Sequence, residues 1–173
     1  MTAAVLLIGA PGAGKSSVLT ALANLLEEEG VGFGAIELEQ LTWGDPPLSP
    51  DVGATALRQI LSLQRNAGRS LFLIAATPES SRELEEIIAA AGADLTVVVC
   101  LAATPDIVAA RIAAREPDTW TGKQDLIERS RHLAVTVPLL EGIEATLQTA
   151  GREALNVARD VRALLPRRDD PAA

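Results

Sequence analysis

Eight consecutive residues, Gly9-Ala10-Pro11-Gly12-Ala13-Gly14-Lys15-Ser16, carry the most specific chemistry in this sequence. Gly9, Gly14, Lys15 and Ser16 meet the spacing G-x-x-x-x-G-K-[ST]. In that spacing glycines let a loop wrap closely around phosphate oxygens, with backbone N–H groups pointing inward and a helix N-terminus behind them. Lys15 then reaches the β and γ phosphates of a nucleoside triphosphate, and the Ser16 hydroxyl is placed to ligate Mg²⁺. Ala10, Pro11, Gly12, Ala13 and Ser17 complete the cradle. The competing explanation is a Gly-rich turn without function, and ordinary residue frequencies put a chance match at roughly one in a hundred chains of this length. The setting lowers that further: an apolar run precedes the loop and helical spacing follows it. The expected ligand pair is a nucleoside triphosphate with Mg²⁺, held by a phosphate-binding P-loop.

Other polar residues stand where such a loop could use them. Glu37 and Glu39 end the second apolar run, and strand alternation sends both to one side, at the carboxyl end where open α/β sheets bind ligands. The alternative is an exposed acidic strand end. Arg111 and Arg115 lie four apart, on one helix face, just before a stretch broken by Pro117 and Gly122. The alternative for them is a solvated pairing with Glu116 or Asp118. Lys123, Arg129 and Arg131 follow the broken stretch and either swing in when it closes or stay on a solvated face. Trp43 follows the acidic pair closely enough to floor an acceptor pocket, and Trp120 lies in the broken stretch. His132, the lone histidine, has no Ser, Cys or Asp constellation to serve and reads as a surface or packing residue.

The elements that must position these groups follow from periodicity. Apolar runs predict strands over 3–8, 31–38, 70–76, 95–101 and 143–149. Helical spacing predicts helices over 16–29, 51–67, 79–91, 104–115, 123–140 and 152–165. Gly30, Gly68 and Gly92 act as stops, and Thr104-Pro105 stands in the order expected of N-cap and N1. The stretch from Gly44 through Pro46-Pro47 to Pro50 is a turn region. Strand alternating with helix predicts an α/β fold, a five-stranded, mainly parallel sheet covered by helices on both faces. The chain length suits one domain over 1–165, and the tail 166–173, with charges, two prolines and no apolar anchor, is expected to fray.

Composition narrows the partners. The net charge of −8 is spread along the chain, which argues against the broad basic face that nucleic acid requires. No run approaches the roughly 20 apolar residues that span a bilayer, so no membrane partner is expected. Residues 3–8 lack a preceding basic segment and lead into a Gly-rich turn, making a poor signal peptide and predicting a cytoplasmic protein. Cys100 is the only cysteine and sits inside an apolar run, as a buried core thiol would. Only two lysines accompany thirteen arginines, and one of the two is Lys15.

Absences narrow the class. The third strand runs into Thr77, where an ATPase that drives a partner would carry an acidic residue for the metal. No Asn-Lys-x-Asp segment is present to read guanine. The chain resembles the small-molecule and nucleotide kinases of the P-loop NTPase fold, the group of adenylate, shikimate, gluconate and adenylylsulfate kinases. It looks closest to adenylylsulfate-kinase-like bacterial proteins. The resemblance covers about residues 3–165. It rests on the Gly-x-Pro-Gly-x-Gly-Lys-Ser loop, the Glu37-Leu38-Glu39 pair with Trp43 and Pro46-Pro47 after it, the Arg111/Arg115 helix before an irregular lid, and a short last strand followed by Gly151-Arg152 and a helix.

That resemblance implies ATP-dependent, Mg²⁺-assisted phosphoryl transfer to a small-molecule acceptor that the sequence does not name. It implies that Glu37 helps hold hydrated magnesium and that Glu39 contacts the acceptor hydroxyl. Both positions are commonly Asp in such kinases and are one methylene longer here. It further implies that Arg111 packs against the adenine, Arg115 reaches the phosphates from the lid, Arg152 belongs to the nucleotide side, and Arg58 contacts the acceptor with Trp43. Two other readings remain beside it: a nucleotide-binding module without catalysis, and an ATPase that drives a partner.

Overall fold

The computed structural model describes residues 1–46 and 48–165; the expected frayed tail, 166–173, and Pro47 of the turn lie outside the described residues. Five strands, β1 (Ala3–Ile8), β2 (Gly34–Glu37), β3 (Leu71–Ala76), β4 (Leu95–Ala102) and β5 (Ala145–Gln148), form one sheet in the order β2-β3-β1-β4-β5. Every pairing is parallel. Seven helices are described: α1 (Lys15–Glu28), α2 (Leu38–Thr42), α3 (Pro50–Asn66), α4 (Ser81–Ala91), α5 (Pro105–Arg115), α6 (Lys123–Thr136) and α7 (Ala154–Leu164). The central strands are apolar at nearly every position because both of their faces are covered.

Alternation along the strands splits the interior into two cores. Leu6, Ile8, Phe72, Ile74, Val98 and Cys100 pack under Leu57 and Leu61 of α3, Leu84 and Ile87 of α4, and Leu133 of α6. Val5, Leu7, Leu73, Val99 and Leu101 pack on the other face under Leu22 and Leu26 of α1 and Val157 and Val161 of α7. Each fully buried Leu or Val contributes about 1.5–3 kcal/mol. Burial also pushes the Cys100 thiol up to about 11, so it is a core side chain rather than a nucleophile.

This topology positions the site. β1 and β3 are neighbours in register, Ile8 opposite Ala76, yet β1 leads into α1 on one face and β3 leads into α4 on the other. Adjacent parallel strands whose connections diverge in this way leave a crevice at their carboxyl ends. The loop from Gly9 and the residue Thr77 therefore leave the sheet side by side.

Three local expectations are corrected. The second strand is shorter than 31–38 because it is an edge strand paired only with β3, and the pairing begins at Gly34 opposite Phe72. The acidic pair is not carried by one strand: Glu37 ends β2, and Glu39 lies in the first turn of the five-residue α2. An acidic side chain is favoured in a first helical turn by the exposed amides there. The predicted helix over 123–140 ends at Thr136 and tightens into a 3₁₀ turn over Val137–Leu139, where Pro138 cannot donate an amide. Among the described residues no helix is long and apolar enough to cross a membrane.

Candidate functional site

The loop over 9–14 is shaped by two glycines. At Gly9 a Cβ would sit 2.5 Å from the Leu101 carbonyl oxygen, so only a glycine lets the loop pass so close to β4. Gly14, with φ at +100°, turns the chain into α1 through a conformation that side chains rarely adopt. The first turn of α1 contains no acidic residue and receives no side-chain cap. Its amide N–H groups are thus left for an anion.

Lys15 folds back over this loop. Its ammonium donates to the Gly9 carbonyl at 2.9 Å and the Ala10 carbonyl at 3.3 Å, and it lies 3.9 Å from Glu39 Oε1. The side chain is only 10% exposed. Desolvation lowers its pKa from the ordinary lysine value, and the nearby charges of Glu39 and Glu37 oppose that only in part. Triphosphate oxygens would favour the ammonium. Nucleotide binding should therefore take up a proton, and affinity should fall as pH rises through the lowered pKa of the free site. Calorimetric titration with Mg-ATP in two buffers of different ionisation enthalpy measures that uptake. Heats independent of the buffer at every pH would contradict the assignment.

The remaining carboxylates are held around the same point. Ser16 Oγ donates to Glu37 Oε2 at 2.8 Å, linking the hydroxyl that the loop motif assigns to magnesium and the carboxylate that the kinase resemblance assigns to it. An all-oxygen pair of this kind, beside a cradle for phosphates, fits a hard cation that keeps several of its waters. On the other side Thr77 Oγ1 donates to Glu39 Oε1 at 2.6 Å, which orients the carboxylate and leaves its second oxygen for another partner. Both glutamates thus reach the P-loop although different elements carry them.

These groups line a cleft of about 1150 Å³ at the carboxyl edge of the sheet. It brings together Pro11, Gly12, Gly14, Lys15, Ser16 and Ser17 with Glu37, Glu39, Trp43, Arg111, Arg115 and Arg152. Gly9, Ala10 and Ala13 lie beneath the loop surface, Ala10 and Ala13 being buried. Arg58 is exposed on α3 and stands apart from the cleft, because only the first turn of that helix, at Pro50, Gly53 and Ala54, reaches the lining.

The arginines differ in their commitments. Arg111 donates to the Gly12 carbonyl at 3.0 Å and to the hydroxyl and carbonyl of Thr149 at 3.1 and 3.0 Å. It ties the loop to the end of β5. Arg115 pairs with Glu116 at 2.7 Å, one of the two partners weighed for it, and keeps 60% of its side chain exposed in the cleft. Arg152 pairs with Asp160 at 2.7 Å. Arg129 pairs with Glu79 across the cleft, whereas Arg131 stays 3.8 Å from Asp106 and outside the lining.

Lys123 does not swing free. It is buried, and its ammonium donates to the carbonyls of Ala113 and Glu116 at 2.8 Å each and to Asp118 at 2.7 Å. It closes the end of α5 and anchors the segment over 116–122 from within. The hydrogen bond and charge of Lys123 hold the Asp118 carboxyl below its usual range. Trp43 is 84% exposed at the cleft edge, and Trp120 sits half-exposed in the broken segment. His132 is exposed on α6.

Several residues at the site escaped sequence reasoning. Thr77 and Thr149 each follow directly after a strand, and Thr149 donates at 2.8 Å to the Ala13 carbonyl. Ser130 is buried and donates at 2.6 Å to the Pro11 carbonyl. Glu79, Glu83 and Glu86 line the cleft from the start of α4. The rule that ligands collect beyond strand carboxyl ends would have pointed to the two threonines. Nothing in the sequence marks Ser130.

No family model matches the chain, and neither does any curated protein. Solved structures match over nearly its whole length. A sugar kinase from Janibacter sp., unliganded, is 15% identical with a TM-score of 0.69, covering 95% of each chain. The APS kinase of Mycobacterium tuberculosis in complex with AMPPNP and APS is 18% identical with a TM-score of 0.66, covering 94% of this chain and 96% of the other. Shikimate kinase from Acinetobacter baumannii in complex with shikimate is 21% identical with a TM-score of 0.58, covering 95% and 93%. At these identities the likeness carries the fold: the chain has the P-loop fold that these small-molecule kinases share.

Proposed function

We propose that this chain transfers the γ-phosphoryl group of ATP, with Mg²⁺, to a hydroxyl of a small molecule. One observation carries the reading. Three groups suited to three different tasks converge on one cleft: the Lys15 ammonium over the loop, the Ser16–Glu37 oxygen pair, and Glu39 oriented by Thr77 on the far side. A volume of about 1150 Å³ accommodates a nucleotide together with a small acceptor. The fold shared with small-molecule kinases supports the same reading.

In this mechanism the loop amides and Lys15 bind the β and γ phosphates, while Arg111 and Arg152 border the nucleotide. Magnesium, held through Ser16 and the water contacts of Glu37, would supply neutralising charge to the phosphates. Glu39 accepts the proton of the acceptor hydroxyl through the oxygen that Thr77 leaves free. Arg115, exposed in the cleft beside the broken segment, adds positive charge where the transferring group develops negative charge. Trp43 offers a flat apolar surface to the acceptor. We place this activity in a single cytoplasmic domain spanning 1–165.

The test is ADP release with Mg-ATP in a screen of phosphorylatable metabolites. Transfer predicts release that rises when the right acceptor is added. Release at one rate with every compound would instead mark an ATPase, and none at all would mark a module that only binds nucleotide.

A further inference from the structure

Successive carbonyls of the phosphate loop, from Gly9 to Ala13, each accept a side-chain donor. Those of Gly9 and Ala10 take the Lys15 ammonium, which belongs to the loop itself. The next three are taken from separate places in the chain. Pro11 accepts from Ser130 Oγ of α6 at 2.6 Å, Gly12 from Arg111 of α5 at 3.0 Å, and Ala13 from Thr149 Oγ1, just after β5, at 2.8 Å. Arg111 also donates to the hydroxyl and the carbonyl of Thr149, so two of these donors are locked to each other.

Peptide planarity extends this pattern to the amides. The loop peptides are trans, and in a trans peptide the carbonyl of one residue points opposite to the N–H of the next. Drawing the Pro11 and Ala13 carbonyls toward Ser130 and Thr149 therefore aims the amides of Gly12 and Gly14 the other way, toward the cleft that both glycines line. Among the described residues neither of these amides donates to a backbone carbonyl, whereas the Ala13 amide closes a turn onto Ala10 at 3.0 Å. Two such amides at the uncapped start of α1 form a nest for anionic oxygens.

The burial of the donors shows that these contacts are built into the fold. Ser130 is fully covered and stands in the buried stripe of α6 between Ile127 and Leu133, where helical periodicity calls for an apolar side chain. A hydroxyl in that place costs stability unless it is bonded, and this one donates out of its own helix to the loop. Thr149 is buried as well.

We propose that Ser130 and Thr149 are positioning residues for phosphate binding. With Arg111 they hold the outer side of the loop, so that the Gly12 and Gly14 amides face the phosphate site before nucleotide arrives. This rests on the nucleotide binding proposed above and adds what shapes its cradle. The two hydroxyls act through the backbone and touch no phosphate. Without them the loop visits conformations in which those amides point elsewhere, and nucleotide binds only the competent fraction.

The experiment compares the wild type with Ser130→Ala, with Thr149→Val and, as a control, with Val161→Ala, which trims the core under α7 away from the loop. Calorimetric titration gives the Kd for Mg-ATP, and ¹⁵N relaxation in the nucleotide-free proteins gives the order of the loop amides. Each loop variant should raise Kd about fivefold, the effect of losing one hydrogen bond. The Gly12 and Gly14 amides should become more mobile on the ps–ns timescale while β1 stays unchanged, and saturating Mg-ATP should restore their order. Val161→Ala should lower the melting temperature and leave both Kd and loop order at wild-type values. Should Ser130→Ala fail to fold, Thr149→Val, which keeps the shape of the side chain, decides alone. A wild-type Kd in a folded loop variant overturns the inference and leaves nucleotide binding standing. An equal rise in Kd with Val161→Ala overturns it too, since the effect would then follow general stability. A wild-type protein that binds no Mg-ATP overturns the inference and the nucleotide reading together.

Discussion

Lys15→Ala should abolish the rise in melting temperature that Mg-ATP is expected to produce in the wild-type protein. A ligand that binds only the folded state at about a hundred times its Kd stabilises it by about 2.7 kcal/mol. In a domain of this size that corresponds to about 5–10 °C. The wild type should show a shift of this size. The variant should show almost none, because the carbonyls of Gly9 and Ala10 that now accept from the ammonium cannot attract phosphates. The variant should still fold, because the two apolar cores that hold the sheet and helices together do not include Lys15, whose ammonium hydrogen-bonds only to loop carbonyls. Thermal melts with and without Mg-ATP check this. Equal shifts in the two proteins would remove the P-loop from the binding account.

Glu39→Gln should lower acceptor-dependent turnover on the order of 10²-fold or more, the usual loss when a general base is removed. ATP affinity should barely change. The substitution keeps the shape and the carbonyl oxygen that accepts from Thr77, so the side chain keeps its place while losing its charge. Steady-state ADP release measures the turnover, and the melting shift measures the affinity. Glu37→Gln should act differently, weakening the dependence on magnesium, because its carboxylate joins Ser16 and not the acceptor wall. If Glu39→Gln turns over at the wild-type rate, the acceptor-side assignment is wrong and Glu37 becomes the candidate base.

The sequence carried the sheet and the loop because both rest on local signals. Continuous apolar runs betray strands buried on both faces, and the glycines at 9 and 14 answer backbone demands that no other residue meets well. The acidic pair was legible as a pair but not in its geometry. Alternation through Glu37-Leu38-Glu39 reads as strand, and only the edge pairing, which stops at Glu37 opposite Ala75, reveals that a short helix takes over. A five-residue helix is too short for a periodic signal.

The part of the cleft lined from α4 was hidden for a different reason. Glu79, just ahead of α4, and Glu83 and Glu86 on it belong to no motif, and only the packing of Leu84 and Ile87 against the sheet turns them toward the cleft. Arg58 shows another limit: fold-level placement put it on the acceptor side, and it stands exposed on α3 one turn beyond the residues that line the cleft. Lys123 looked like a free cation because sequence cannot show the two carbonyls that claim it.

The most direct test of phosphoryl transfer uses ATP labelled with heavy oxygen on the γ-phosphoryl group, incubated with Mg²⁺, the protein and a mixture of small hydroxylated metabolites, followed by mass spectrometry of the small molecules. The account predicts the label in an organic phosphate ester that is absent with Lys15→Ala. Label confined to inorganic phosphate, or left wholly in ATP, would contradict it.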